Sequence, residues 1–112
     1  MDFHSDKPIY LQIADTLCES ILCGTLKAED RIPSVREYGA QIGVNPNTVM
    51  RTYEKLTDDG IIYNKRGIGY FVSADAHEKI LEAQKADFIS KEVPAIRRKM
   101  ELLGLDASIF KN

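Results

Sequence analysis

Apolar residues recur every four positions at the start of the chain, with Ile9, Ile13, Leu17 and Ile21 in one line and Tyr10, Ala14 and Leu22 widening it. That period is one face of a helix, and it predicts a first helix over residues 8–23. Pro8 fits its first turn, where a missing N–H costs nothing, and Gly24 is a natural terminator. Residues 25–33 alternate polar with apolar, and Arg31-Ile32 suits a short strand. A second helix opens at Ser34. Ser34 and Glu37 have the spacing of a capping box, in which each side chain takes a free backbone N–H of the other residue. Val35, Tyr38, Gly39 and Ile42 form its inward face, and Gly43 ends it. Asn45 and Pro46 restart a helix at once, as N-cap and first helical residue. Val49, Tyr53 and Leu56 then point inward as far as Asp58 or Asp59, before Gly60. Between Ile42 and Asn45 there is room only for a tight turn, so the two helices form a helix-turn-helix.

Beyond Gly60 the period changes. Ile61-Ile62-Tyr63-Asn64 and Tyr70-Phe71-Val72-Ser73 flank Lys65-Arg66-Gly67-Ile68-Gly69, the pattern of a β-hairpin with glycines in its turn. Gly67-x-Gly69 is not a dinucleotide-binding loop, because a strand follows it where a helix is required and the full glycine spacing is absent. From Asp75 the helical pattern returns, and Asp75 with Glu78 resembles another cap. Ile80, Leu81, Ala83, Ala86, Phe88 and Ile89 are too many apolar residues for one narrow face. Val93-Pro94 is expected to break or kink this helix, since a residue before proline avoids helical geometry. A further helix is expected over residues 94–103 through Ile96, Met100 and Leu103, ending at Gly104. Residues 105–112 add a final turn with Ile109 and Phe110. Such a tail cannot enclose its own core, so it must pack on the first domain or on a second copy. The expected fold class is mainly α with a small β-hairpin. Residues 1–73 form a winged helix-turn-helix, and residues 74–112 a short helical tail.

Composition alters this picture little. The chain's 112 residues suit one modest core, and no apolar run approaches the length needed to cross a bilayer. The N-terminus lacks the basic start and apolar centre of a signal peptide, which places the protein in the cytoplasm. Cys18 and Cys23 are five apart on one helix, a poor disulfide geometry, and read as ordinary buried or half-buried thiols. His4 and His77 have no partners at metal-ligand spacing, so no metal or other cofactor is expected.

Charge changes the picture more. The formal net charge is −2, yet it is unevenly placed. Residues 1–30 carry net −4, residues 74–112 net 0, and residues 31–73 net +2 from Arg31, Arg36, Arg51, Lys55, Lys65 and Arg66 against four acids. On the third helix Asn47, Thr48, Arg51 and Lys55 share a face away from the apolar one. Amide and hydroxyl groups suit base edges, and arginine or lysine suits guanine or phosphate. Lys65 and Arg66 at a hairpin tip suit a phosphate backbone or a minor groove. Many solvated helix faces and hairpin tips carry the same residue types, so the arrangement of the whole segment matters more than any one residue.

Taken together, Pro8-Ile9-Tyr10-x-Gln12-Ile13, Ile32-Pro33-Ser34-Val35-Arg36-Glu37, Gly43-Val44-Asn45-Pro46-Asn47-Thr48-Val49, Arg51-x-Tyr53-x-x-Leu56, Asp59-Gly60-Ile61-Ile62 and Gly67-x-Gly69-Tyr70-Phe71-Val72 resemble the GntR family of bacterial transcription regulators. Within it they resemble the small YtrA-like subgroup, whose tail Pro94 and Met100-Glu101-Leu102-Leu103-Gly104 also resemble. The resemblance implies a winged helix that binds operator DNA as a dimer. It implies DNA contacts by Arg36, by Asn47, Thr48 and Arg51 on the recognition helix, and by Arg66 and Gly67 at the wing. It also implies a homodimer joined through the C-terminal helices. Two departures stand out. Glu29-Asp30 occupies a loop where relatives often carry glycine, and Pro46 stands where some carry arginine, so the bases read do not carry over.

The expected function is therefore a homodimeric repressor on a palindromic operator in double-stranded DNA, with Arg36, Asn47, Thr48, Arg51, Lys55, Lys65, Arg66 and Gly67 at the DNA. Lys55, Lys65 and Arg66 would meet phosphate. The alternative is a winged helix used for contact with another protein, without specific DNA binding, which the negative total charge leaves open. No nucleophile–base pair, metal cluster or phosphate loop supports an enzyme. The tail is too short for a large metabolite-binding domain, and the residues name no effector.

Overall fold

The helix starts and stops read from sequence rest on particular caps, and those at Ser34, Gly43 and Asn45 are in place. The computed structural model of the chain describes residues 6–111, and His4 lies outside them. Helix α1 spans Ile9–Leu22, α2 Val35–Ile42 and α3 Pro46–Asp58. At the start of α2 the Glu37 N–H donates to Ser34 Oγ at 3.1 Å and the Ser34 N–H donates to Glu37 Oε1 at 3.2 Å, completing the capping box. Those bonds hold the exposed Glu37 carboxyl below its usual pKa. Gly43 closes α2 in the left-handed region, at φ 71°, which glycine enters without a Cβ clash. The two cysteines are free. Cys18 is half-buried, and burial followed by the nearby Asp15 charge pushes its thiol up to about 11. Cys23 is exposed instead of buried, because it caps the end of α1.

Strands β1 (Arg31–Ile32), β2 (Ile62–Lys65) and β3 (Gly69–Val72) form an antiparallel sheet in the order β1-β3-β2. An isolated hairpin is marginal in water; here β1 pairs Arg31 with Phe71 and Ile32 with Tyr70 and adds the third strand. The pairing continues into the preceding loop, where the Glu29 N–H donates to the Val72 carbonyl at 2.8 Å. Glu29 has φ 70°, a left-handed value alone among non-glycine residues described. This loop therefore takes the conformation glycine favours, although it carries a glutamate.

Two compact units divide the chain, Met1–Ile80 and Leu81–Asn112. The core of the first joins Ile13, Leu17 and Ile21 of α1, Val49, Tyr53 and Leu56 of α3, and Ile32, Ile62 and Val72 of the sheet. Ala76 and Ile80, at the start of helix α4 (Ala76–Asp87), are buried in it as well. Asp75 pairs with Lys79 through its carboxylate at 3.3 Å.

The second unit runs from α4 through one π-helical turn, Phe88–Glu92, into α5, Val93–Leu102. The expected break at Val93-Pro94 does not occur. Val93 is helical at φ −60° and ψ −47°, and its N–H reaches back to the Phe88 carbonyl. The wider π turn accommodates the proline ring that would otherwise meet the preceding turn. After α5 the Leu105 N–H donates to the Met100 carbonyl at 2.8 Å and the Gly104 N–H to Glu101 at 3.2 Å, a Schellman stop. A 3₁₀ turn follows at Ala107–Phe110. An open apolar groove of about 490 Å³ runs along this unit, lined by Phe88, Val93, Ile96, Met100, Leu105 and Phe110 among others. No helix among the described residues is long and apolar enough to cross a membrane.

Candidate nucleic-acid interface

Helix α3 presents a polar face only because its inner face is tied down on three sides. Asn45 caps it, accepting from the Asn47 N–H at 2.8 Å, with Pro46 as first helical residue. Val49, Tyr53 and Leu56 are buried as expected, and so is Thr52, which the apolar period did not flag. Thr52 Oγ1 donates to the Tyr10 carbonyl of α1 at 2.7 Å. Tyr53 donates its hydroxyl to the Pro33 carbonyl, also at 2.7 Å, just before α2. Gly39 lets the turn close on α2: a Cβ there would stand 2.7 Å from the Val44 carbonyl oxygen.

These anchors place the starts of α2 and α3 side by side. Arg36 and Asn47 line one open groove of about 650 Å³, together with Val35, Asn45, Pro46 and Met50. Helix N-termini carry partial positive charge and free N–H groups, which favour anions. Met50 was missed by the sequence reading; it is 38% exposed, three residues after Asn47 on the same face. Thr48 is half-buried at the third residue of α3 and does not line this groove. Its carbonyl accepts from the Thr52 hydroxyl at 3.4 Å.

Arg51 and Lys55 lie along a second, smaller hollow of about 280 Å³, with Tyr10, Glu54, Asp58 and Asp59. Lys55 pairs with Asp59 at 2.8 Å, four residues on. That hydrogen bond raises the Lys55 pKa from its ordinary value. The Arg51 guanidinium lies over the Tyr10 ring, 4.1 Å from its centroid. Tyr10, read from sequence as part of the α1 core stripe, is half-buried and belongs to this hollow too.

The wing is built from β2, β3 and their turn. The Ile68 N–H donates to the Lys65 carbonyl at 2.9 Å, and Gly67 has φ 80°, as the third position of a type II turn requires. Arg66 is exposed at the tip. Lys65 Nζ sits 5.0 Å from the Phe71 ring centroid, and Phe71 stacks on Tyr63 at 5.8 Å. The Tyr63 hydroxyl donates to the Glu29 carboxylate, so the loop before β1 is tied to the wing by side chain as well as backbone.

Comparison with known proteins gives a consistent picture. Residues 9–72 match the model of the bacterial regulatory proteins of the gntR family. The chain is 40% identical over 107 residues to the HTH-type transcriptional repressor YtrA of Bacillus subtilis, covering 96% of this chain and 76% of that one. Its fold is similar to that of a GntR family transcriptional regulator from Listeria monocytogenes, with a TM-score of 0.77, 32% identity, and coverage of 96% of this chain and 93% of the other. It is also similar, at a TM-score of 0.59 and 26% identity over 64% of this chain and 93% of the other, to the DNA-binding domain of AraR in complex with operator ORX1.

Proposed function

The chain belongs to the GntR family of bacterial regulatory proteins, transcription regulators with a winged-helix DNA-binding domain, and from this we propose that two copies act together to repress transcription at a palindromic operator. The observation that carries the reading is the convergence of Arg36 and Asn47 in one open groove at the adjoining starts of α2 and α3. Arg36, at a helix N-terminus, suits a phosphate and sets the register of the protein on the duplex. Asn47 offers an amide that pairs in bidentate fashion with adenine, and Arg51 a fork that matches guanine. Thr48 contributes through its position in the first turn. Lys65, Arg66 and the close-approaching Gly67 backbone follow the flanking phosphates or enter the minor groove, and Lys55 adds charge once it leaves Asp59.

The second unit supplies the partner surface. Its groove residues Phe88, Ile96, Leu105 and Phe110 are exposed in the single chain, and burying them against a second copy removes that apolar area from water. A two-fold dimer presents its recognition helices to successive major grooves, about 34 Å apart. This role calls for no catalytic step and belongs in the cytoplasm with the chromosome.

Selection from a random duplex library with the full chain, followed by footprinting, tests the reading. The expected outcome is an inverted repeat with two protected half-sites about one helical turn apart, bound with an affinity that falls steeply as salt rises. Recovery of no sequence, with no salt-sensitive binding to any duplex, would overturn it and favour a winged helix used for protein contact.

A further inference from the structure

Arg51 is a long side chain in a hollow that also holds Glu54, Asp58 and Asp59. A carboxylate there would occupy the edge of the guanidinium, which carries all of its N–H donors. Among the described residues no ion pair joins Arg51 to these acids, and Asp59 is taken by Lys55. The Arg51 contact is with Tyr10, whose ring centroid lies 4.1 Å from the guanidinium carbon. This is a cation–π contact, and among the described residues no carboxylate pairs with the guanidinium's N–H donors.

The platform is fixed from the same helix that carries the arginine. Thr52, next to Arg51 and fully buried, donates its hydroxyl to the Tyr10 carbonyl at 2.7 Å. One residue of α3 thus holds the backbone of Tyr10, and its neighbour rests on the ring. Tyr10 is the second residue of α1, in the first turn, where the Leu11 and Gln12 N–H groups both bond the Pro8 carbonyl at 3.0 and 3.1 Å. Arg51 lies four residues, one turn, beyond Asn47 on α3, so the two positions share one side of the helix.

We propose that Tyr10 is a positioning residue for DNA recognition: its ring orders the Arg51 side chain, keeps its donor edge away from the acids of the same hollow, and so presents it to the duplex already extended. The ordering matters because a free arginine loses much rotamer freedom on binding. The inference rests on Arg51 being a DNA contact, as proposed above.

The test compares Tyr10→Leu, Tyr10→Phe, Arg51→Ala and the Tyr10→Leu/Arg51→Ala double variant, as full chains, on the duplex selected by the wild type. Leucine removes the π face, and phenylalanine keeps it. Tyr10→Leu is expected to bind roughly three- to tenfold more weakly, the range of a partly exposed cation–π contact. Tyr10→Phe should bind nearly as well as wild type. The double variant should bind no more weakly than Arg51→Ala alone, as expected for two residues acting as one unit. In the free protein, Arg51 side-chain protons should show a ring-current shift that phenylalanine keeps and leucine abolishes.

Tyr10→Leu binding as well as or better than wild type, while Arg51→Ala binds weakly, would overturn the proposal and leave the function intact. Arg51→Ala binding like wild type would instead remove the premise, and the proposal with it. If the leucine variant does not fold, stepwise fluorination of a phenylalanine at position 10 weakens the π face at nearly constant shape. Affinity that falls with each fluorine supports the proposal, and a flat series overturns it.

Discussion

Tyr53 is the largest side chain wholly closed to solvent, and it carries a polar group into that core. Its hydroxyl is satisfied by the Pro33 carbonyl. Its ring meets Tyr70 of β3 edge-on at 4.9 Å and stacks with Tyr38 of α2 at 6.4 Å. One residue of α3 therefore ties together the start of α2, its middle and the wing. Burial, followed by the neighbouring tyrosines, pushes the hydroxyl well above its ordinary value of 10.0. A folded-state pKa raised in this way contributes stability that is complete below about pH 10 and is lost as pH climbs from there towards the folded value. Tyr53→Phe should therefore cost about 1 kcal/mol near neutral pH, through the lost hydrogen bond. It should also flatten the decline of stability above about pH 10. Urea unfolding at the two pH values checks both. The burial of Tyr53 followed from its place in the helical period. Its partner Pro33, twenty residues away, did not.

Among the elements, α2, the turn and α3 were the most legible, because each boundary is set by a local device: the Ser34–Glu37 box, Gly43, and the Asn45-Pro46 start. What no local rule conveyed is how closely α2 and α3 approach. Gly39 shows the competing effects. Alanine at this helical position gains about 1 kcal/mol in propensity over glycine. Its Cβ, however, would lie 2.7 Å from the Val44 carbonyl and 3.6 Å from Pro46 Cα, which is backbone that cannot step aside. The overlap should win, so Gly39→Ala is expected to destabilise the fold by about 1–3 kcal/mol net and to weaken DNA binding by displacing the first turn of α3. Thermal melts and a mobility-shift titration measure the two effects. A gain in stability would show that the turn yields more easily than this geometry implies. In the tail, the rule for residues before proline failed at Val93, which keeps α-helical angles where a π turn leads into the next helix.

For the molecule as a whole, the proposed dimer rests on the exposed apolar residues of the second unit. Ile96 is 44% exposed, Phe110 68% and Leu102 79% in the single chain. Ile96→Glu places a charge in the apolar groove that the proposed dimer buries, which pairing cannot tolerate unless the charge finds a partner. Sedimentation should report a monomer, and operator affinity should fall sharply, because each half-site must then be held alone. The melt of the winged helix should persist. A variant that remains a dimer would move the interface elsewhere.

The order of the elements, their ends, the inward faces of α1 and α3 and the placement of positive charge follow from period, caps and composition, which are local properties of the chain. Asn47 and Arg51 were legible as an outward face for the same reason. The grouping of those residues was not. Arg36 shares a groove with Asn47 because Gly39 and Tyr53 set the approach of two helices. Arg51 lies over the Tyr10 ring because Thr52 bonds a residue 42 positions earlier. Lys55 is held by the acid that caps the end of its own helix, a contact the charge count included only as a sum. Periodicity records which side of an element faces the core; it carries no information about which elements meet, and that is settled only when the core closes around side chains distant in the chain.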